Sequence, residues 1–213
     1  MHTIQEPNET WQDNVIESIV DFAKSDDGAM VHVGKLARAV DEPYAMQKMV
    51  DLLSQNPQAK KAFLECKILG DIDLQKLYSL PSNTLGYAFA KHMLDRGLKP
   101  LKSDVSTEDD EVTHDIWHVV IGADTDIQGE IQLEAFYVSQ LYATRFWLAL
   151  IVKNLLKSTI NDIEASTQYM DAITKGWLMG KQAKSLFGIN WDELWEHPLE
   201  EVRADLNIVF PKI

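Results

Sequence analysis

A chain of 213 residues with a hydrophobic share of 46% predicts one domain, residues 1–213, with apolar surface enough for a core. A net charge of −13 with no cluster of Lys and Arg argues against nucleic-acid binding, because a phosphate backbone demands a basic surface. Cys66 is the single cysteine, which excludes an internal disulfide, makes thiolate metal ligation a poor expectation and fits a reducing compartment.

The first residues, Met1-His2-Thr3-Ile4-Gln5-Glu6-Pro7, have neither the apolar core of a signal peptide nor the Arg-rich pattern of a transit segment. The longest strongly apolar run, 146–152, is far shorter than the roughly 20 residues that span a bilayer. The expectation is a cytoplasmic protein, able at most to touch the inner face of a membrane peripherally.

In chain order, Thr10 reads as the cap of a helix through Lys24, with Trp11, Val15, Ile19 and Phe22 at helical spacing and a stop at 25–28. A second helical pattern runs from about Lys35 past Met46 and Met49 to Asn56-Pro57, with Pro43 as an interruption, and 58–68 is a short amphipathic stretch closed by Gly70. A helix then follows Leu80-Pro81, ends at Asp95 and is capped by Gly97. Gly86 lies inside it at a cost of about 1 kcal/mol in helix propensity, which suggests a close backbone approach. His92, on the same helix, is expected to be packed or exposed rather than a further ligand. Residues 99–111 turn polar and acidic and read as a loop.

The next stretch carries the chemistry. If 112–121 is helical, His114 and His118 fall one turn apart on one face with Asp115 beside them. Gly122-Ala123-Asp124 reads as a stop, Thr125 with Gln128 has the form of a capping box, and Glu130 then enters from a second, antiparallel helix. Imidazole nitrogens and carboxylate oxygens are ordinary ligands of divalent metals, and three protein ligands leave a coordination position open, as catalytic sites do. The same spacing also suits a surface cluster of salt bridges, and spacing alone leaves both readings standing.

Residues 127–156 form the longest apolar pattern and read as one buried helix, with Glu130, Glu134 and Tyr137 on one face and Arg145 farther along. Such a helix belongs to the core or lines a ligand tunnel. Arg145 suits a structural ion pair or an anionic head group. A last long helix starts at Asn161 or Asp162 and ends near Phe187, with Gly176 and Gly180 spaced for close packing, and two short helices divided at Pro198 complete the chain. No strand pattern of any length appears, so the fold class is all-α, a multi-helix bundle with an apolar pocket.

His114-Asp115-x-x-His118, eleven residues and then Glu130, with Gly129 before it, resembles the hallmark of the Coq-four family, the fourth of the numbered coenzyme Q (ubiquinone) biosynthesis proteins. Leu80-Pro81, Thr84 and Gly86 upstream and Trp191, Trp195, Pro198-Leu199, Arg203, Leu206 and Ile208 downstream extend the resemblance over roughly 80–208. One departure is the acidic run Asp109-Asp110-Glu111, where the family carries basic and aromatic residues.

The resemblance implies a divalent metal, zinc favoured over magnesium or iron, held by His114, Asp115, His118 and Glu130. It also implies an apolar site for a polyprenyl lipid or quinone intermediate, to which Glu134, Tyr137 and Arg145 are assigned. The implied role is ubiquinone biosynthesis, either as a metal-dependent oxidative decarboxylase acting at C1 of the quinone head or as a non-catalytic lipid carrier or scaffold. Partners would be other quinone-biosynthesis proteins, a membrane surface and a second copy in a homodimer. A zincin-type hydrolase fits poorly, because that chemistry needs Glu beside the first His and Asp115 is one methylene shorter.

Overall fold

The computed structural model describes residues 9–25, 30–40, 47–48, 51–52, 54–55, 72–98, 108–141 and 145–212. Among them the helices are α1 (Glu9–Lys24), α2 (Met30–Val40), α3 (Leu74–Tyr78), α4 (Leu85–Asp95), α5 (Glu108–Ile121), α6 (Ile127–Gln140), α7 (Arg145–Asn161), α8 (Ser166–Gln182) and α9 (Leu199–Asp205). Two 3₁₀ turns, Ile163–Ala165 and Trp191–Glu193, complete the order. Thr84 and Pro198 form an isolated antiparallel bridge, and no strand occurs among the described residues. The all-α class is as the sequence predicts. Expectations at Gly28, Pro43, Met46, Met49, Asn56-Pro57, 58–68, Cys66 and Gly70 lie outside the described residues.

The tightest pairing is α6 against α8. Gly176 and Gly180 make it possible: a Cβ at Gly176 would meet the Gln132 carbonyl oxygen at 1.9 Å, and one at Gly180 would meet Ser139 Oγ at 1.7 Å. Around this pair Phe89, Met93, Ile116, Trp117, Leu133, Phe136, Met179 and Trp191 form the main core. A second cluster, Phe22, Leu36, Val40, Ala149 and Leu150, joins α1 and α2 to α7. Gly86 fulfils the expectation of a close approach, since its N–H donates to the Trp195 carbonyl at 2.9 Å and a Cβ would meet that oxygen at the same distance.

Four expectations change. The apolar pattern of 127–156 is two helices: α6 ends at Gln140, Leu141 turns to extended backbone (ψ 105°), and α7 starts at Arg145. Gln140 is committed elsewhere, its Nε2 donating to the Gly180 carbonyl (2.8 Å) and its Oε1 accepting the Leu186 N–H (3.2 Å). The last long helix is shorter than predicted, because Asp162 caps a 3₁₀ turn before α8 and the Lys184 N–H pairs with the Leu206 carbonyl after it. The second helix starts at Met30 rather than Lys35. Residues 108–111 belong to the first turn of α5 rather than to the end of a loop.

Candidate metal centre

The C-terminal half of α5 is held from two sides. Gly122, at φ +65°, ends the helix in the left-handed region, and the Ala123 N–H closes back on the His118 carbonyl at 3.0 Å. Arg203 of α9 donates to the Val120 carbonyl (Nε, 2.9 Å) and the Val119 carbonyl (Nη2, 2.8 Å), satisfying acceptors that the helix end leaves open. These bonds fix the rotation of α5 and therefore the direction of its two imidazoles.

Glu130 comes from the first turn of α6. The cap of that helix is Asp126, which accepts the Gly129 N–H at 2.8 Å, and Thr125 instead accepts from Arg96 at 2.9 Å, so the cap lies one residue beyond the predicted one and, with Gly129 three residues on, is a simple cap rather than a capping box. Gly129 sits where a Cβ would meet the Asp124 carbonyl oxygen at 1.9 Å, so the turn folds tightly only with glycine before Glu130. Placement in the first helical turn favours a carboxylate.

The three side chains converge. His114 Nε2 and His118 Nε2 lie 3.1 Å apart, His118 Nε2 is 3.2 Å from one Glu130 oxygen, and His114 Nε2 is 3.4 Å from the other. Donors held about 2.0–2.1 Å from one divalent ion stand about 3.0–3.4 Å from each other in octahedral and tetrahedral shells. The observed separations match the edges of such a shell, and two imidazoles with a carboxylate suit zinc or iron better than magnesium, which prefers oxygen donors. The His118 side chain is fully buried, whereas those of His114 and Glu130 are 25% and 35% exposed, so the cluster opens on one side. Burial alone would raise the Glu130 pKa, but hydrogen bonds from His114 and His118 outweigh it and hold the group at about 2, as a carboxylate.

Of the other residues singled out, Asp115 is half-buried beside His114 and is not among the three converging donors. Tyr137 is close by: its ring is sandwiched between Trp117 (4.3 Å) and Trp147 (4.0 Å), and the His114 ring lies parallel to Tyr137 and Trp147 within 11°, at 6.1 Å from each. Glu134, one turn beyond Glu130, is buried and accepts from Asn154 Nδ2 at 3.2 and 3.3 Å. Burial pushes its pKa up to about 8, against the pull of Lys153 and with the help of Glu130's charge, so it holds a proton at neutral pH. Arg145 is not brought to the cluster; its guanidinium lies over the Trp11 ring, 4.8 Å from the centroid.

Sequence reasoning did not place Trp147 beside His114, and the expectation that His92 is packed or exposed rather than a ligand is met by its burial against His118. The break after Gln140 hides the register of Trp147 relative to Glu130, and the position of His92 depends on how α4 packs against α5, to which no local pattern speaks.

A ubiquinone biosynthesis protein COQ4, mitochondrial, of Eremothecium gossypii is 30% identical over 154 residues, covering 66% of this chain and 46% of that protein. The protein of the same name from Uncinocarpus reesii is 26% identical over 194 residues, covering 84% of this chain and 68% of that one. The chain thus spans about half the length of the first of these relatives. A crystal structure of a ubiquinone biosynthesis protein from Nostoc punctiforme superposes with a TM-score of 0.80 at 28% identity, covering 92% of this chain and 98% of that one. The sequence profile described as coenzyme Q (ubiquinone) biosynthesis protein Coq4 matches residues 2–212, and with the site and fold in agreement the chain belongs to that family.

Proposed function

We propose that this chain binds a divalent metal ion through His114, His118 and Glu130 and uses it in coenzyme Q biosynthesis, acting in C1 decarboxylation of the head of a polyprenylated quinone precursor, in which the C1–carboxylate bond breaks and carbon dioxide leaves. The observation that carries the metal is the convergence of three donor atoms at coordination-shell spacing. A bound ion would supply Lewis-acid polarisation of the head-group oxygens at its open position. Asp115 ligates from the edge of the site or orients an imidazole. Trp147, half-buried and parallel to the His114 ring, is the aromatic wall a planar head group would meet, with Tyr137 stacked behind it. The prenyl chain would lie along apolar surface beyond that wall, with zinc as the favoured ion.

The test is chemical. In cells that depend on this chain, His118→Ala should lose metal and accumulate the C1-carboxylated precursor; normal quinone production by a metal-free variant refutes the catalytic reading. A carrier or scaffold is the second reading, favoured by the exposed apolar residues Leu148 and Val152 of α7 and Met170 and Trp177 of α8. It predicts prenyl lipid retained through gentle purification without turnover.

A further inference from the structure

His92 belongs to α4, which contributes none of the three donors, yet it lies against the most deeply buried of them. Its ring stacks on that of His118 with centroids 5.8 Å apart and planes inclined by 25°, and both residues are more than nine-tenths buried. Each ring also keeps one buried nitrogen with no hydrogen-bond partner: Nε2 of His92 and Nδ1 of His118. Buried polar atoms are nearly always satisfied, so two orphans on adjacent rings point to a shared partner.

The chemistry of the site says why such a partner is needed. His118 turns Nε2 toward His114 and Glu130. When Nε2 coordinates an ion, the single proton of the neutral ring sits on Nδ1, and that buried N–H requires an acceptor to hold the ring in place. In its neutral form the His92 ring keeps a lone pair that can accept this proton. The two nitrogens share no direct bond, so the link needs a water at the ring edges, in whose planes imidazole hydrogens and lone pairs lie, and a water with two imidazole partners is adequately bonded.

We propose that His92 is a positioning residue of the metal centre, hydrogen-bonded to Nδ1 of His118 through one buried water and thereby fixing the ring orientation and proton position of that ligand. The effect on metal affinity rests on the metal reading above; the bond itself is observable without metal. An imidazole carries one donor and one acceptor, so the link forms in either sense, with or without the ion.

The experiment compares the parent chain with His92→Phe, which keeps an aromatic ring and removes both nitrogens, and His92→Gln, which restores a donor and an acceptor. Imidazole ¹⁵N spectra of the metal-free proteins read the hydrogen bond, and cobalt(II) titration against a competing chelator reads affinity. We expect the His118 Nδ1 resonance to shift in His92→Phe and to return toward the parent value in His92→Gln. Cobalt affinity should fall about tenfold or more in His92→Phe and recover in His92→Gln. Unchanged His118 ring shifts and unchanged affinity in His92→Phe overturn the proposal. A parent that binds no cobalt defeats the metal reading, while the ring shifts still decide the His92–His118 bond. Should His92→Phe fail to fold, protection of a buried ring N–H from solvent exchange in the parent decides it, and rapid exchange counts against the link.

Discussion

At the scale of the residue, the site combines groups whose surroundings push them in different directions. Glu130 stays ionised although half-buried, whereas Glu134 one turn away stays protonated, because imidazoles hydrogen-bond the first and burial dominates the second. The folded chain binds the Glu134 proton more tightly than the unfolded chain does. Its contribution is therefore fully present below 4.5 and is lost as pH rises toward 8. Glu134→Gln should remove that loss, so the stability of the variant relative to the parent grows across this window by on the order of 1–3 kcal/mol, read from denaturant midpoints. His92 has the opposite slope. With its pKa lowered from 6.5 to about 4, the unfolded chain binds the proton more tightly, and stability falls as pH drops through that interval. His92→Phe should flatten this acid limb, and an unchanged acid limb would show that the histidine is not held neutral by burial.

At the scale of the element, the site depends on two helix ends and one close helix pair. Asp126→Ala removes the cap that sets the first turn of α6, and should lower stability by about 1 kcal/mol and weaken metal binding by loosening Glu130. Gly176→Ala acts farther away: its Cβ has to displace the Gln132 carbonyl, so the α6–α8 pair opens at a cost of roughly 1–3 kcal/mol, seen as a lowered denaturation midpoint. These dependences also explain what was legible in the sequence. The i, i+4 histidines, the Gly122 stop and the Glu130 entry are local signals, and each is realised in the structure. The break after Gln140 was illegible because 141–144 contain neither glycine nor proline, and Gln140 is drawn away by bonds to α8 that exist only after folding. The cap moved from Thr125 to Asp126 because Arg96, nearly thirty residues upstream, bonds the threonine hydroxyl. The placement of His92 and Arg145 is likewise tertiary: one is fixed by α4 against α5, the other by the Trp11 ring of α1.

At the scale of the whole molecule, the family match and the helical architecture place the chain in the Coq4 family, and the converging donors mark a candidate site among the described residues. No helix among the described residues is long and apolar enough to cross a membrane, and α7 and α8 expose apolar side chains at Leu148, Val152, Met170 and Trp177. The net charge of −13 adds long-range attraction for a divalent cation, which predicts that apparent metal affinity falls as ionic strength rises, on top of what the three ligands supply. The most direct measurement is the metal content of the chain purified without chelator, by elemental analysis, beside that of His118→Ala prepared identically. One divalent ion per chain in the parent and none in the variant is the predicted result; a parent that is metal-free and takes up no added zinc or cobalt, or a variant that keeps its ion, contradicts the assignment of His114, His118 and Glu130 as a metal centre.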